Sequence, residues 1–197
     1  MARAGLNPQR VVEIAAELVQ EQGVEGHARL SLAQVAKRAG VATPSLYKHI
    51  NSLASLKRGV SILSLRLLAD TLERAMPGTG DWEARLVAIA VAFRGFALEF
   101  PGLYAAAQAA PDPEAPADES WRQAGDRVLH FLAEPLQELD SLQGNETDLL
   151  RSVRAHLHGF IDLELRGGYR LDRDLAESFQ IHVSILLNGL RHLARGV

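Results

Sequence analysis

Apolar residues recur along this chain at steps of three and four and nowhere alternate, so the pattern predicts helices throughout. Val11, Ile14, Ala15, Leu18 and Val19 make one helical face over residues 8–22. Asn7-Pro8 provides an N-cap and a first-turn proline, and Gly23 ends the run. After a loop, Ser31-Leu32-Ala33-Gln34 opens a short second helix as a capping box, and Gly40 stops it. Thr43-Pro44 starts a third helix, again as cap plus proline, running to about Ile50.

Longer helices follow. Residues 53–76 carry Leu56, Val60, Leu63 and Leu67 on one stripe, broken by Pro77-Gly78-Thr79-Gly80. Asp81 caps a helix striped with Trp82, Leu86, Ile89, Phe93, Phe96 and Phe100, which Pro101 ends. A small-residue helix reaches Ala110, and Pro111–Pro116 reads as a Pro-rich, exposed and mobile loop. A helix over about 117–141 is expected to kink at Pro135. Gly144-Asn145 is a turn, and the last helices span about 146–166 and 172–195, divided by Gly167-Gly168. The expected fold is all-α with about nine helices. Residues 1–52 would form a three-helix N-terminal domain, and residues 53–197 a larger helical domain that the long helix 53–76 enters.

Two short helices and a three-residue turn between Ser31 and Ile50 carry the functional signal. A bulky side chain at Ala36, where the helices cross, would push them apart, and Gly40 supplies the left-handed turn. Val41 and Leu46 face inward. Thr43, Pro44, Ser45, Tyr47, Lys48 and His49 are left at the start and outer face of the second helix. Such a helix fits the major groove, about 12 Å wide, with its first residues on base edges.

Charge sharpens this picture. The formal net charge of −3 splits into +4 for residues 1–60 and −7 for the remainder. Between Gly26 and Val60 stand six Lys/Arg and no acid, a surface suited to phosphate, although a merely solvated basic face has the same composition.

The stretch Leu32–His49, ending Leu46-Tyr47-Lys48-His49, resembles the helix-turn-helix of TetR-family regulators, whose signature is Leu-Tyr-basic-His. The helix order of the whole chain is similar to that family too, which implies a DNA-binding domain in residues 1–52 and a ligand-binding and dimerisation domain in residues 53–197, with 53–76 as linking helix. Ile50 stands where the family often has Phe. Leu53 stands where it often has a phosphate-contacting Lys, a role Lys57 or Arg58 can take one turn later. Leu157–Leu165 with Gly167-Gly168-Tyr169 is similar to the family's WHG-type ligand-binding domain, although the residue before His158 is Leu157, not Trp. The resemblance implies a cytoplasmic homodimer on a pseudo-palindromic double-stranded DNA operator, acting as a repressor, with a small-molecule effector in the C-terminal domain.

Tyr47 is read as a phosphate contact over a core aromatic, and Lys48 as a backbone contact over a base reader. His49 can equally pack or cap. Ser31 caps its helix whether or not it also meets a phosphate. Phe93, Phe96, Phe100, Tyr104 and Trp121 are the candidate apolar or aromatic ligand contacts, with His158 as polar partner, although such a phenylalanine stripe is more often plain core than pocket wall. Leu157, Gly159, Phe160, Phe179, Leu186 and Leu190 are the candidate dimer contacts.

No cysteine is present, which excludes disulfides and thiolate sites. His156 and His158 are two apart and His182 and His192 ten apart, so no metal spacing appears, and Asp162 can orient His158. No phosphate loop, nucleophile elbow or apolar run of about 20 residues is found, and neither a cofactor nor a membrane association is expected. Two other readings stay open: a DNA-binding protein governed by a protein partner or by nothing, which a cavity-free C-terminal half would favour, and a helical enzyme with an incidental helix-turn-helix, which lacks any paired catalytic groups.

Overall fold

The computed structural model describes residues 5–110, 118–139 and 144–195. The Pro-rich loop expected at 111–116 lies outside them. Among the described residues there are ten α-helices and no strand. In chain order they are α1 (Pro8–Glu21), α2 (Gly26–Arg29), α3 (Leu32–Ala39), α4 (Thr43–Leu46), α5 (Leu53–Ala75), α6 (Trp82–Glu99), α7 (Pro101–Gln108), α8 (Glu119–Ala133), α9 (Glu146–Leu165) and α10 (Leu175–Ala194). The fold is all-α, as the periodicity requires.

Local capping chemistry accounts for most of the boundaries. Asn7 Oδ1 accepts from the Arg10 N–H at 2.9 Å, Asp81 Oδ1 from Ala84 at 2.9 Å, and Asp174 Oδ1 from Glu177 at 2.8 Å. Gly40 and Gly167 take left-handed φ of 68° and 65° where α3 and α9 end.

Five expectations are corrected. The loop after Gly23 is a 3-10 turn, Gly23–Glu25, running into α2. Gly26 there is buried against α1, a contact that no local pattern announces. The cap of α4 is Ala42, with Thr43 and Pro44 as its first two helical residues. The α-helix stops at Leu46, and Tyr47–His49 continue as turns closed by His49 N–H to Leu46 O at 2.8 Å. Instead of kinking at Pro135, the chain leaves α8 at Ala133 for a 3-10 stretch, Glu134–Glu138, because proline has no N–H to continue the ladder. The buried stripe of α5 is Leu56, Val60, Ser64, Leu68 and Leu72, an i+4 row that leaves Leu67 outside.

Two compact units divide the chain. The first comprises the chain to Leu68 together with Phe100–Gly125, and the second Ala69–Glu99 with Asp126 onward. In the first, α1 packs on α3, α2 and α7, and α3 on α4, over Val11, Ile14, Ala15, Val19, Val35, Ala36 and Leu46. The Gln20 side chain accepts from the N–H groups of Gly102 and Leu103 at 3.2 and 3.4 Å, fastening the start of α7 to α1. In the second, α6 packs on α9 and α10 over Leu86, Ile89, Phe93, Leu157 and Ile161. Arg94 and Glu164 join α6 to α9 through two parallel bonds of 2.5 and 2.8 Å.

Candidate nucleic-acid interface

The α3–turn–α4 corner is held by backbone and core together. Val41 N–H donates to Ala36 O at 3.0 Å across the left-handed Gly40, closing the end of α3. Ala36 is buried at the crossing, and Leu46 is fully enclosed. Ser31 and Gln34 form the reciprocal cap, Gln34 N–H to Ser31 Oγ at 3.4 Å and Ser31 N–H to Gln34 Oε1 at 2.9 Å. Ser31 is half-buried in that role.

With Leu46 pointing in, its neighbours point out. Tyr47 is 57% exposed, so it is not a core aromatic. Pro44 and Lys48 are exposed, and Thr43, Ser45 and His49 half-buried. One short segment thus offers two small hydroxyls, a proline ring, a phenol, an imidazole and an ammonium on one protein edge.

The six cations of the acid-free stretch are not equivalent. Acids from outside it reach in: Arg38 meets Glu21 at 2.5 Å and Glu17 at 3.9 Å, and Arg58 lies 3.7 Å from Asp118. Lys57 Nζ donates to Ala28 O at 2.8 Å. Arg29, Lys37 and Lys48 are exposed and have no carboxylate partner among the described residues. The chain order of charges could not reveal this, since the neutralising acids are 17 and 60 positions away.

The candidate ligand residues fall in both units. Phe93 and Phe96 on α6 are buried and belong to the second unit, as does half-buried His158 on α9. Phe100, Tyr104 and Trp121 belong to the first, with Tyr104 fully enclosed and the other two half-buried. Burial holds the His158 imidazole below the ordinary histidine range, with Asp162 acting the other way. The Asp162 carboxylate itself takes the Arg166 guanidinium at 2.9 Å. A cleft of about 370 Å³ opens in the second unit beside Tyr169, Leu171 and Leu175, a place the sequence reading did not single out.

Of the candidate dimer contacts, Leu157, Phe160, Phe179 and Leu190 lie in the protomer's own core. Leu186 is half-buried and Gly159 exposed. The outward faces of these helices are instead Ala155, Gly159 and Leu163 on α9, with Ile181 and Ile185 on α10. No single helix among the described residues is long and apolar enough to cross a membrane.

Comparison with known proteins agrees with this geometry. Residues 86–186 match the family model described as tetracyclin repressor-like, C-terminal domain. The chain is 29% identical to the uncharacterised helix-turn-helix regulator YobS of Bacillus subtilis, covering 95% of this chain and 94% of that one. It is 32% identical to the uncharacterised regulator Rv0681 of Mycobacterium tuberculosis, over 83% of this chain and 72% of that one. A TetR variant from Acinetobacter baumannii, solved in complex with minocycline, shares the fold at a TM-score of 0.63 and 21% identity, over 96% of this chain and 99% of that one. The chain belongs to the TetR family of helix-turn-helix transcriptional regulators, DNA-binding proteins that are not enzymes. The matched C-terminal model does not single out the WHG subtype.

Proposed function

We propose that this regulator binds a pseudo-palindromic operator as a homodimer in the cytoplasm, represses transcription, and releases DNA when an apolar or aromatic small molecule enters its C-terminal domain. The observation that carries the DNA-binding half is the outward display of Tyr47 and Lys48 beside the enclosed Leu46. In this reading Thr43, Pro44 and Ser45 meet base edges and thymine methyls. Lys48, Tyr47, Lys37 and Arg29 meet phosphates.

Dimerisation is proposed through the outward faces of α9 and α10, where small Ala155 and Gly159 lie near exposed Leu163, Ile181 and Ile185. A two-fold axis there would present two recognition helices about 34 Å apart, one turn of DNA. For the effector, support comes from His158, a half-buried imidazole on α9 whose charged form burial disfavours. The minocycline complex of a protein of the same fold makes a small-molecule effector a natural expectation.

The test is selection of genomic fragments by purified protein, followed by release from the selected fragment with a panel of apolar compounds. Two half-sites about 10 base pairs apart, and release by at least one compound, are expected. A single half-site would overturn the dimer reading.

A further inference from the structure

Polar bridges fasten the first turns of α5 to α2, and they run both ways. From α5, Lys57 Nζ donates to the Ala28 carbonyl oxygen at 2.8 Å. From α2, His27 Nε2 lies 3.2 Å from the Lys57 carbonyl oxygen and 3.3 Å from Ser61 Oγ. The Ala28 carbonyl is among the last of its helix and has no partner within it, so the ammonium satisfies a group that would otherwise need water. Backbone closeness reinforces the seat, since a Cβ on Gly59 would come 2.8 Å from Val12 Cγ2.

We propose that Lys57 and His27 form a clasp that positions the start of α5 against the helix-turn-helix unit, and that Lys57 serves DNA binding through this geometry and not by touching a phosphate. The proposal refines the operator reading above. It removes Lys57 from the phosphate set and makes it, with His27, a positioning residue. Burial disfavours a charge on the His27 imidazole and the Lys57 ammonium adds to this, while the bond to the Lys57 carbonyl oxygen acts the other way. Arg58, the next residue, faces Asp118, and Arg29 on α2 faces solvent. No carboxylate bonds the imidazole among the described residues. A proton added to His27 leaves the Nε2–H donor in place but sets an imidazolium beside the Lys57 ammonium in a half-buried place with no counter-charge, and that repulsion loosens the clasp.

The experiment uses the full chain, a fragment selected from genomic DNA, and a random-sequence duplex as second probe. Lys57→Met keeps the aliphatic stem and removes the charge. It is expected to weaken binding to the selected fragment about tenfold while leaving the log–log salt slope unchanged, whereas Lys48→Ala lowers that slope by about one per protomer engaged. His27→Phe should cost a similar factor, and the double variant should be no worse than either alone. A slope lowered by about one per protomer in Lys57→Met, or additive losses in the double variant, overturns the proposal. Random-sequence DNA keeps the slope readable even if no operator is selected, which separates failure of the clasp from failure of the operator reading. A second measurement needs no change at Lys57. Acidification from pH 7.5 to 5.5 should weaken binding of the wild type relative to His27→Gln, which keeps a donor but does not titrate. A cation acting only through space would strengthen it, so equal profiles, or a relative gain by the wild type, also overturn the proposal.

Discussion

His156 on α9 and His182 on α10 stack ring on ring, centroids 3.6 Å apart and planes within 9°, and each Nε2 donates to the other's backbone carbonyl oxygen at 2.8 Å. Burial pushes the His182 imidazole below the ordinary histidine range. The His156 carbonyl acts against that shift, and the His156 ring adds to it. A lowered folded value means that the unfolded chain takes up the proton first. The stabilisation is therefore complete above the ordinary value of about 6.5 and is lost as pH falls below it. Thermal unfolding between pH 7.5 and 5 should show a steeper acid loss for the wild type than for His182→Phe, which keeps an aromatic ring but cannot titrate. Parallel curves would mean that the pair contributes nothing to the pH dependence.

The Arg94–Glu164 pair is nearly enclosed, with side chains 16% and 9% exposed, and the guanidinium also lies 5.2 Å from the Phe179 ring centroid. Removing the carboxylate leaves an uncompensated buried cation at the junction of α6, α9 and α10. Glu164→Leu is expected to lower stability by about 3 kcal/mol. Denaturant unfolding measures it, and a loss below about 0.5 kcal/mol would show that solvent reaches the pair.

Gly26 and Gly102 both press on the Val19 carbonyl. A Cβ on either would fall 2.1 or 2.2 Å from its oxygen. Backbone on one side meets backbone on the other, so neither can yield as a side chain would. Gly102→Ala should destabilise the first unit by about 3 kcal/mol, read by hydrogen exchange in α1 and α7. Gly125→Ala, inside α8 with open space at its Cβ, is the control and should stabilise by about 0.5–1 kcal/mol through helix propensity alone.

Ser45 is the most direct test of base reading. If its hydroxyl reaches a base edge, fragment selection with Ser45→Ala should relax preference at one or two base pairs per half-site, worth about 1–3 kcal/mol each. An unchanged consensus would assign Ser45 to the backbone.

Ile185 tests the dimer face. It is 60% exposed on α10, so Ile185→Glu should leave the unfolding temperature of the protomer intact. Burying a carboxylate between copies is costly, so sedimentation should show the variant as monomer at concentrations where the wild type is dimer.

Signals within reach of four residues were legible along the chain. The caps at Asn7, Ser31 and Asp81 and the left-handed Gly40 depend on neighbours one turn away, and the chain alone determined them, whereas the Asp174 cap was not read from it. The helix-turn-helix was legible for the same reason. What the three-dimensional packing settled are contacts between residues far apart in order. Gly26 at the start of α2 lies against the Val19 backbone, Glu21 and Asp118 reach Arg38 and Arg58, and the Ala28 carbonyl oxygen takes the Lys57 ammonium. His156 finds His182 across 26 positions, where spacing along the chain only showed that it points away from His158. Periodicity states that a face is apolar, but not which partner fills it. Leu157, Phe160, Phe179 and Leu190 are therefore core, while Ala155, Gly159, Ile181 and Ile185 are left to face outward.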